Sequence, residues 1–167
     1  EILYYAPYAG RLYQGTKARR DYAKEFYDKY AGKGIQSTGS VNGSAENGKN
    51  MTIIGDSITV GSKEALVKKF SDISESNIDG RVGRPWEEGN TIAESMSLKD
   101  IVVFALGTNS AGLTKAQIEE TISIIGAGHT IVFVTNYDGN KQDQFTSNNN
   151  LFKEFAKSNS NILIADW

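Results

Sequence analysis

Met51-Thr52-Ile53-Ile54-Gly55-Asp56-Ser57 decides how this chain is read, because an apolar, partly β-branched run passes directly into a glycine, an acid and a serine. A strand that ends in a serine at a sharp turn is how many hydrolases present a nucleophile, so Ser57 is the residue to explain. Downstream, Ile101-Val102-Val103-Phe104-Ala105-Leu106 runs into Gly107-Thr108-Asn109. Two strand ends therefore carry the small and polar residues from which acyl-transfer sites are assembled.

Working outward from these runs, apolar stretches alternate with segments of helical period. Strands are expected at 51–55, near 77–80, at 101–106, 130–135 and 162–166, and helices at about 60–70, 89–96, 115–125 and 145–158. The 115–125 helix is introduced by Thr114 with Gln117 three residues on, a capping box that satisfies orphan N–H groups. Ile131-Val132-Phe133-Val134 is apolar without alternation, which predicts cover on both faces of a parallel sheet. Right-handed crossovers make this an α/β fold: a three-layer α/β/α sandwich around a doubly wound, mostly parallel five-stranded sheet. Such sheets bind ligands at the carboxyl ends of their strands, where Ser57, Asn109, Asn136 and Asp166 all fall.

With 167 residues, one domain with attached sequence is expected, large enough to bury a core without disulfides or metals. Residues 1–31 form a tyrosine-rich arm in which Tyr22, Phe26 and Tyr30 recur at helical spacing, predicting a short amphipathic helix whose aromatic stripe packs or binds carbohydrate. Residues 32–50 are dominated by Gly, Ser, Asn and Lys with scarcely an apolar residue, the composition of a linker, and 51–167 is the folded domain, read as C-terminally incomplete. The 18 Lys+Arg against 20 Asp+Glu give a net charge of −2 and no electrostatic reason to expect nucleic acid as a partner. The absence of cysteine excludes disulfides and thiolate metal sites, and no apolar stretch reaches the roughly 20 residues of a membrane span.

Gly55-Asp56-Ser57-Ile58-Thr59 resembles the first block of the SGNH (GDSL-like) hydrolase family, Gly107-Thr108-Asn109 its third block, and Asp79-Gly80-Arg81-Val82-Gly83-Arg84 stands where the second is found. Gly83 matches the glycine of that second block, with Gly80 as its close competitor. Within the family the chain is similar to extracellular SGNH domains related to peptidoglycan and polysaccharide O-acetyltransferases, through these blocks and Asn161-Ile162-Leu163-Ile164-Ala165-Asp166-Trp167. The resemblance implies a cofactor-free and metal-free serine esterase or O-acyltransferase, outside the cell or in its envelope, acting on acetyl esters of cell-wall or other glycans. It implies Ser57 as nucleophile, with the Ser57 N–H, the Gly83 N–H and the Asn109 amide holding the oxyanion. One such donor is worth about 3 kcal/mol in the transition state. Asp56 holds the turn by accepting from backbone N–H groups.

The family draws its base from an Asp-x-x-His block after the fifth strand, and that block is not found up to Trp167. Asp166 ends the strand and does not match the catalytic aspartate. His129 precedes a strand and is expected at the opposite edge, roughly 17 Å from the serine, as a loop histidine. A serine without a base within hydrogen-bond reach is a poor nucleophile, which keeps open a competing reading as a glycan-binding or structural domain. Three further patterns are set aside. Gly43 to Asn50 lacks the closing Ser or Thr and the helix of a phosphate loop. Gly126-Ala127-Gly128 precedes a strand instead of following one. Glu87-Glu88 and Glu119-Glu120 read as solvated charge.

Overall fold

A computed structural model describes residues 50–70, 72–110, 112–137 and 142–166. The arm of residues 1–31, with its expected helix, and the linker up to residue 49 lie outside the described residues. The elements run β1 (Met51–Gly55), α1 (Ser57–Lys69), β2 (Ile78–Gly80), α2 (Trp86–Ser95), β3 (Ile101–Ala105), α3 (Lys115–Ile125), β4 (Thr130–Val134), α4 (Gln142–Ser158) and β5 (Ile162–Ala165), with a 3-10 turn at Glu75–Asn77. The strands form one sheet in the order β2-β1-β3-β4-β5, and every neighbouring pair is parallel. The chain leaves β1 in one direction to make β2 and then builds the rest of the sheet in the other. The point where strand order reverses thus falls between β1 and β3, the strands that end in Gly-Asp-Ser and Gly-Thr-Asn.

That reversal distributes the helices. Right-handed crossovers put α1 on one face and α2, α3 and α4 on the other, and the packing agrees. Leu66 and Val67 of α1, with Phe70 at its C-cap, pack against the cluster of Ile53, Ile73 and Ile78, as Val103 does. On the opposite face Trp86, Ile118 and Phe152 close over Val102, Phe104, Ile131 and Phe133. The centre of this larger core is aromatic: Trp86 meets Phe104 edge-on at 4.8 Å and stacks on Phe152 at 5.5 Å, and Phe152 stacks on Phe133 at 5.0 Å. The buried Trp86 indole N–H donates to Thr121 Oγ1 at 2.8 Å, so this ring is satisfied at its polar end as well.

Both faces of the sheet are covered, as expected, but unequally. In β3 and β4 burial alternates, with Val102, Phe104, Ile131 and Phe133 fully buried and Ile101, Val103, Val132 and Val134 half-buried. Three helices cover the first set, whereas α1 lies over the β1–β2 side of the other face.

Helices α1 and α2 each start three residues before the sequence expectation. Helix α1 starts at Ser57, three residues before the expected start, because the Asp56 side chain accepts from Ile58 N and begins the helix there. Helix α2 starts at Trp86 behind Pro85, with Glu87 and Glu88 in its first turn, where the helix dipole favours acids. Helix α3 keeps its expected bounds, and its Thr114–Gln117 capping box is present in both directions.

Candidate active site at the carboxyl edge of the sheet

The turn after β1 allows no side chain at Gly55: a Cβ there would lie 1.9 Å from Thr59 Oγ1 and 3.1 Å from Ala105 O. Glycine lets the first turn of α1 fold back onto the strand end. Asp56 follows as a buried cap, its Oδ1 accepting from Ile58 N at 2.9 Å. Its Oδ2 accepts from Thr108 Oγ1 and, at 3.3 Å, from Asn109 Nδ2. One carboxylate therefore joins the first block to the third, a link the sequence did not announce. Ser57 is left exposed as the first helical residue, and its hydroxyl has no hydrogen-bond partner among the described residues. Its own N–H is one of the helix's orphan donors.

The second block separates its two glycines. Gly80 belongs to β2, opposite Gly55, and a Cβ there would press on Val60 N at 3.0 Å, so this glycine serves packing. Gly83 is exposed, has open space around its missing side chain and stands at φ +73, a left-handed conformation that favours glycine. Its N–H finds no acceptor among the described residues. The loop is tied to the end of β1 by Arg81 N donating to Gly55 O at 3.2 Å.

Two arginines flank Gly83. Arg81 forks onto both oxygens of Glu88, and Arg84 donates to Glu88 Oε1 at 3.3 Å and to the Asp79 carboxylate. Glu88 is thus not simply solvated charge: the hydrogen bonds from Arg81, supported by Arg84, hold its carboxyl below the usual carboxylate range. Glu119 and Glu120 are exposed, as expected.

In the third block Gly107 stands at φ +124, and a Cβ there would fall 2.1 Å from Asn136 Oδ1. Asn136 clamps this turn from the end of β4, its Nδ2 donating to Leu106 O at 3.1 Å while its Oδ1 stays buried and unpartnered. The clamp is held in turn by Asn149 of α4, which pairs with the main-chain N–H and C=O of Asn136 at 2.8 Å each. The buried Asn148 beside it donates to Ser110 O at 3.0 Å and accepts from Leu113 N at 2.9 Å. Asn109, carried by this turn, is exposed, and its Nδ2 donates to Asp56 Oδ2 and, at 3.2 Å, to Arg84 O. Its amide nitrogen is thus shared between two protein acceptors at long distances, so donation to a ligand competes with them.

A cleft of about 50 Å³ opens beside these groups, lined by Asp56, Ile58, Ala105, Thr108 and Val134 to Tyr137. Ser57, Gly83 and Asn109 are not among the residues that line it. The volume admits a water or two and not a sugar ring, so a larger ligand would lie across the rim. Ile58, Val60, Val82 and Tyr137, the exposed large apolar side chains among the described residues, all stand on this edge.

Asp166 lies away from the serine, beyond β5, where it accepts from Thr135 Oγ1 at 3.0 Å and pairs with Lys153 at 3.3 Å. His129 sits in the turn before β4, at the amino edge, and its Nδ1 meets Lys99 O at 2.8 Å. A carbonyl can only accept, so this bond assigns the proton to Nδ1. Gly126-Ala127-Gly128 lies in the same turn, remote from the serine.

The buried hydrogen-bonding roles of Arg84, Asn136 and Asn148 were not anticipated. The one available signal is Asn148-Asn149-Asn150 within a helix, since three poor helix formers in a row imply a task other than helix formation.

No family model matches the chain, and no curated protein matches it. Among solved structures the chain is similar to the C-terminal catalytic domain of peptidoglycan O-acetyltransferase A (OatA) from Streptococcus pneumoniae, in a structure bearing a methylsulfonyl adduct. The TM-score is 0.61 and the identity 25%, over 71% of this chain and 69% of that one.

Proposed function

We propose, from the premise that the chain is an SGNH-related α/β domain, that it carries out acyl transfer through Ser57 on acetyl esters of cell-wall or other glycans, outside the cell or in its envelope. The observation that carries this reading is an exposed serine at a helix N-terminus with two unengaged backbone donors on the same sheet edge, its own N–H and that of Gly83. In the proposed step Ser57 Oγ attacks the ester carbonyl carbon and its proton passes to a base. The carbonyl oxygen becomes an oxyanion held by the Ser57 and Gly83 N–H groups and by the Asn109 amide, in competition with its protein acceptors. The bond to the glycan oxygen breaks, that oxygen takes the proton, and the acyl-serine passes its acyl group to water or to another alcohol. Hydrolysis and transfer share every step but the last. The likeness to an O-acetyltransferase domain supports acyl chemistry of this general kind.

One observation favours a second reading. The Asn109 amide nitrogen already donates to two protein acceptors, Asp56 Oδ2 and Arg84 O. A domain that keeps the pocket and holds glycan without turning it over would look the same. The two readings separate in an assay of the gene's full-length product with p-nitrophenyl acetate and an O-acetylated glycan, beside its Ser57→Ala variant. Acyl transfer predicts turnover that falls at least about a thousandfold in the variant. Undiminished turnover in Ser57→Ala rejects Ser57 as nucleophile, and saturable glycan binding without turnover by either protein establishes the binding module.

A further inference from the structure

Arg84 is a buried charge that the proposed chemistry does not use. It is 3% exposed, and each nitrogen of its guanidinium is aimed at an acceptor. Nη1 donates to Gly55 O and to Asp79 O, both at 3.0 Å, Nη2 to the Asp79 carboxylate, and Nε to Glu88 at 3.3 Å. Its main-chain carbonyl accepts from Asn109 Nδ2 at 3.2 Å. One residue is thereby bonded to the strand end just before Asp56-Ser57, adjoins Gly83 in the chain, and holds the Asn109 amide. It meets all three blocks.

Stability does not account for this choice. Replacing a buried ion pair by an apolar side chain of similar volume is often neutral or stabilising, so a methionine could fill the space as well. Arginine adds a rigid planar fork with donors in fixed directions, able to span two carbonyls and two carboxylates at once, and lysine cannot reproduce it. Asp79, Glu88 and Arg81 complete the cluster with two charges of each sign, so the guanidinium is neutralised where it stands. What the cluster holds still is the 81–84 loop, and with it the Gly83 N–H and the carbonyl on which Asn109 rests.

We propose that Arg84 is the positioning residue that brings the Ser57 N–H, the Gly83 N–H and the Asn109 amide into one constellation. The use of those donors rests on the acyl-transfer reading, but their placement does not, and the test measures each separately. Arg84→Lys and Arg84→Met are made in the full-length product and compared with the unaltered protein by thermal melting, by amide NMR and by ester turnover. In Arg84→Lys, cooperative melting is kept, and the amide signals of Ser57, Gly83 and the Asn109 side chain shift and exchange faster with water. Signals of Val102 and Phe133, in the sheet interior, stay in place. Turnover falls about 10- to 100-fold in kcat, with KM changed less than about twofold. Where lysine or methionine prevents folding, Asp79→Asn, which keeps an oxygen acceptor but removes its charge, moves the same three signals by less. Unmoved Gly83 and Asn109 signals in a folded Arg84 or Asp79 variant overturn the proposal, as does an unchanged kcat in folded Arg84→Lys. Absence of turnover in the unaltered protein instead overturns the acyl-transfer reading, and the NMR comparison still decides Arg84.

Discussion

At the amino edge of the sheet, connections are closed by single bonds to or from the main chain: Thr130 N donates to Asp100 O, Ile131 N to Asn161 O, and Lys99 N to Thr52 Oγ1, while His129 rests on the Lys99 carbonyl. At the carboxyl edge, the loops are joined instead by the buried side chains of Asp56, Arg84, Asn136 and Asn148, and those of Asp56, Arg84 and Asn148 each bond to at least two partners. The carboxyl edge also carries the exposed apolar residues Ile58, Val60, Val82 and Tyr137. Buried polar networks tolerate little loss, because each unpartnered group costs about 1–3 kcal/mol. The difference teaches that the amino edge is built to close the fold, and the carboxyl edge to hold particular atoms in particular places.

A matched pair of glycines puts this contrast to its hardest test. Gly107, on the carboxyl edge, and Gly126, on the amino edge, both stand at positive φ, but a Cβ at 126 meets nothing within 4 Å. Gly107→Ala is expected to cost about 2–4 kcal/mol, the backbone strain plus displacement of the Asn136 clamp. Gly126→Ala should cost about 1–2 kcal/mol, the strain alone. Urea denaturation measures both, and equal losses would erase the distinction between the edges.

His129→Ala asks whether the amino edge takes part in chemistry. It removes one partly buried hydrogen bond, so stability should fall by about 1 kcal/mol while ester turnover of the full-length product stays as it was. A folded variant that has lost its turnover would return His129 to the chemistry.

The smallest effect expected is electrostatic. Because the folded-state pKa of Glu88 is depressed by Arg81 and Arg84, its contribution to stability is present above the ordinary glutamate pKa and is lost as pH falls through the folded value. Solvent screens this surface cluster, so the shift should be slight. Thermal melts from pH 7 to pH 3 should show Glu88→Gln less stable at the neutral end, with the gap closing toward acid. A gap of constant size would mean that the arginine pairs contribute nothing through charge.

How much of this was legible in the sequence follows from the range of each interaction. The capping box of α3 lies within four residues, and its helix was bounded correctly from Thr114 and Gln117 alone. The strands were legible because apolar runs are local, but which face three helices would cover depends on strand order, so the half-buried Val132 and Val134 looked no different from their neighbours. The start of α1 was missed because Asp56 was read as a turn residue, although turns and caps draw on the same side-chain chemistry. Arg84 reaches Gly55 across 29 residues and Asn148 reaches Ser110 across 38, and no local pattern encodes bonds of that span. The site residues were named by resemblance, whereas the groups that hold them required coordinates.

The engagement of Asn109 bears on what the site could recognise. An amide that already donates to Asp56 and to the Arg84 carbonyl gains nothing by turning to a neutral ester oxygen of similar accepting strength. Its present bonds, at 3.3 and 3.2 Å, are long enough to yield to a full negative charge. For the reaction proposed, Asn109 would then act as a threshold, indifferent to the substrate at rest and responsive once charge has formed, so that part of the binding is reserved for the transition state.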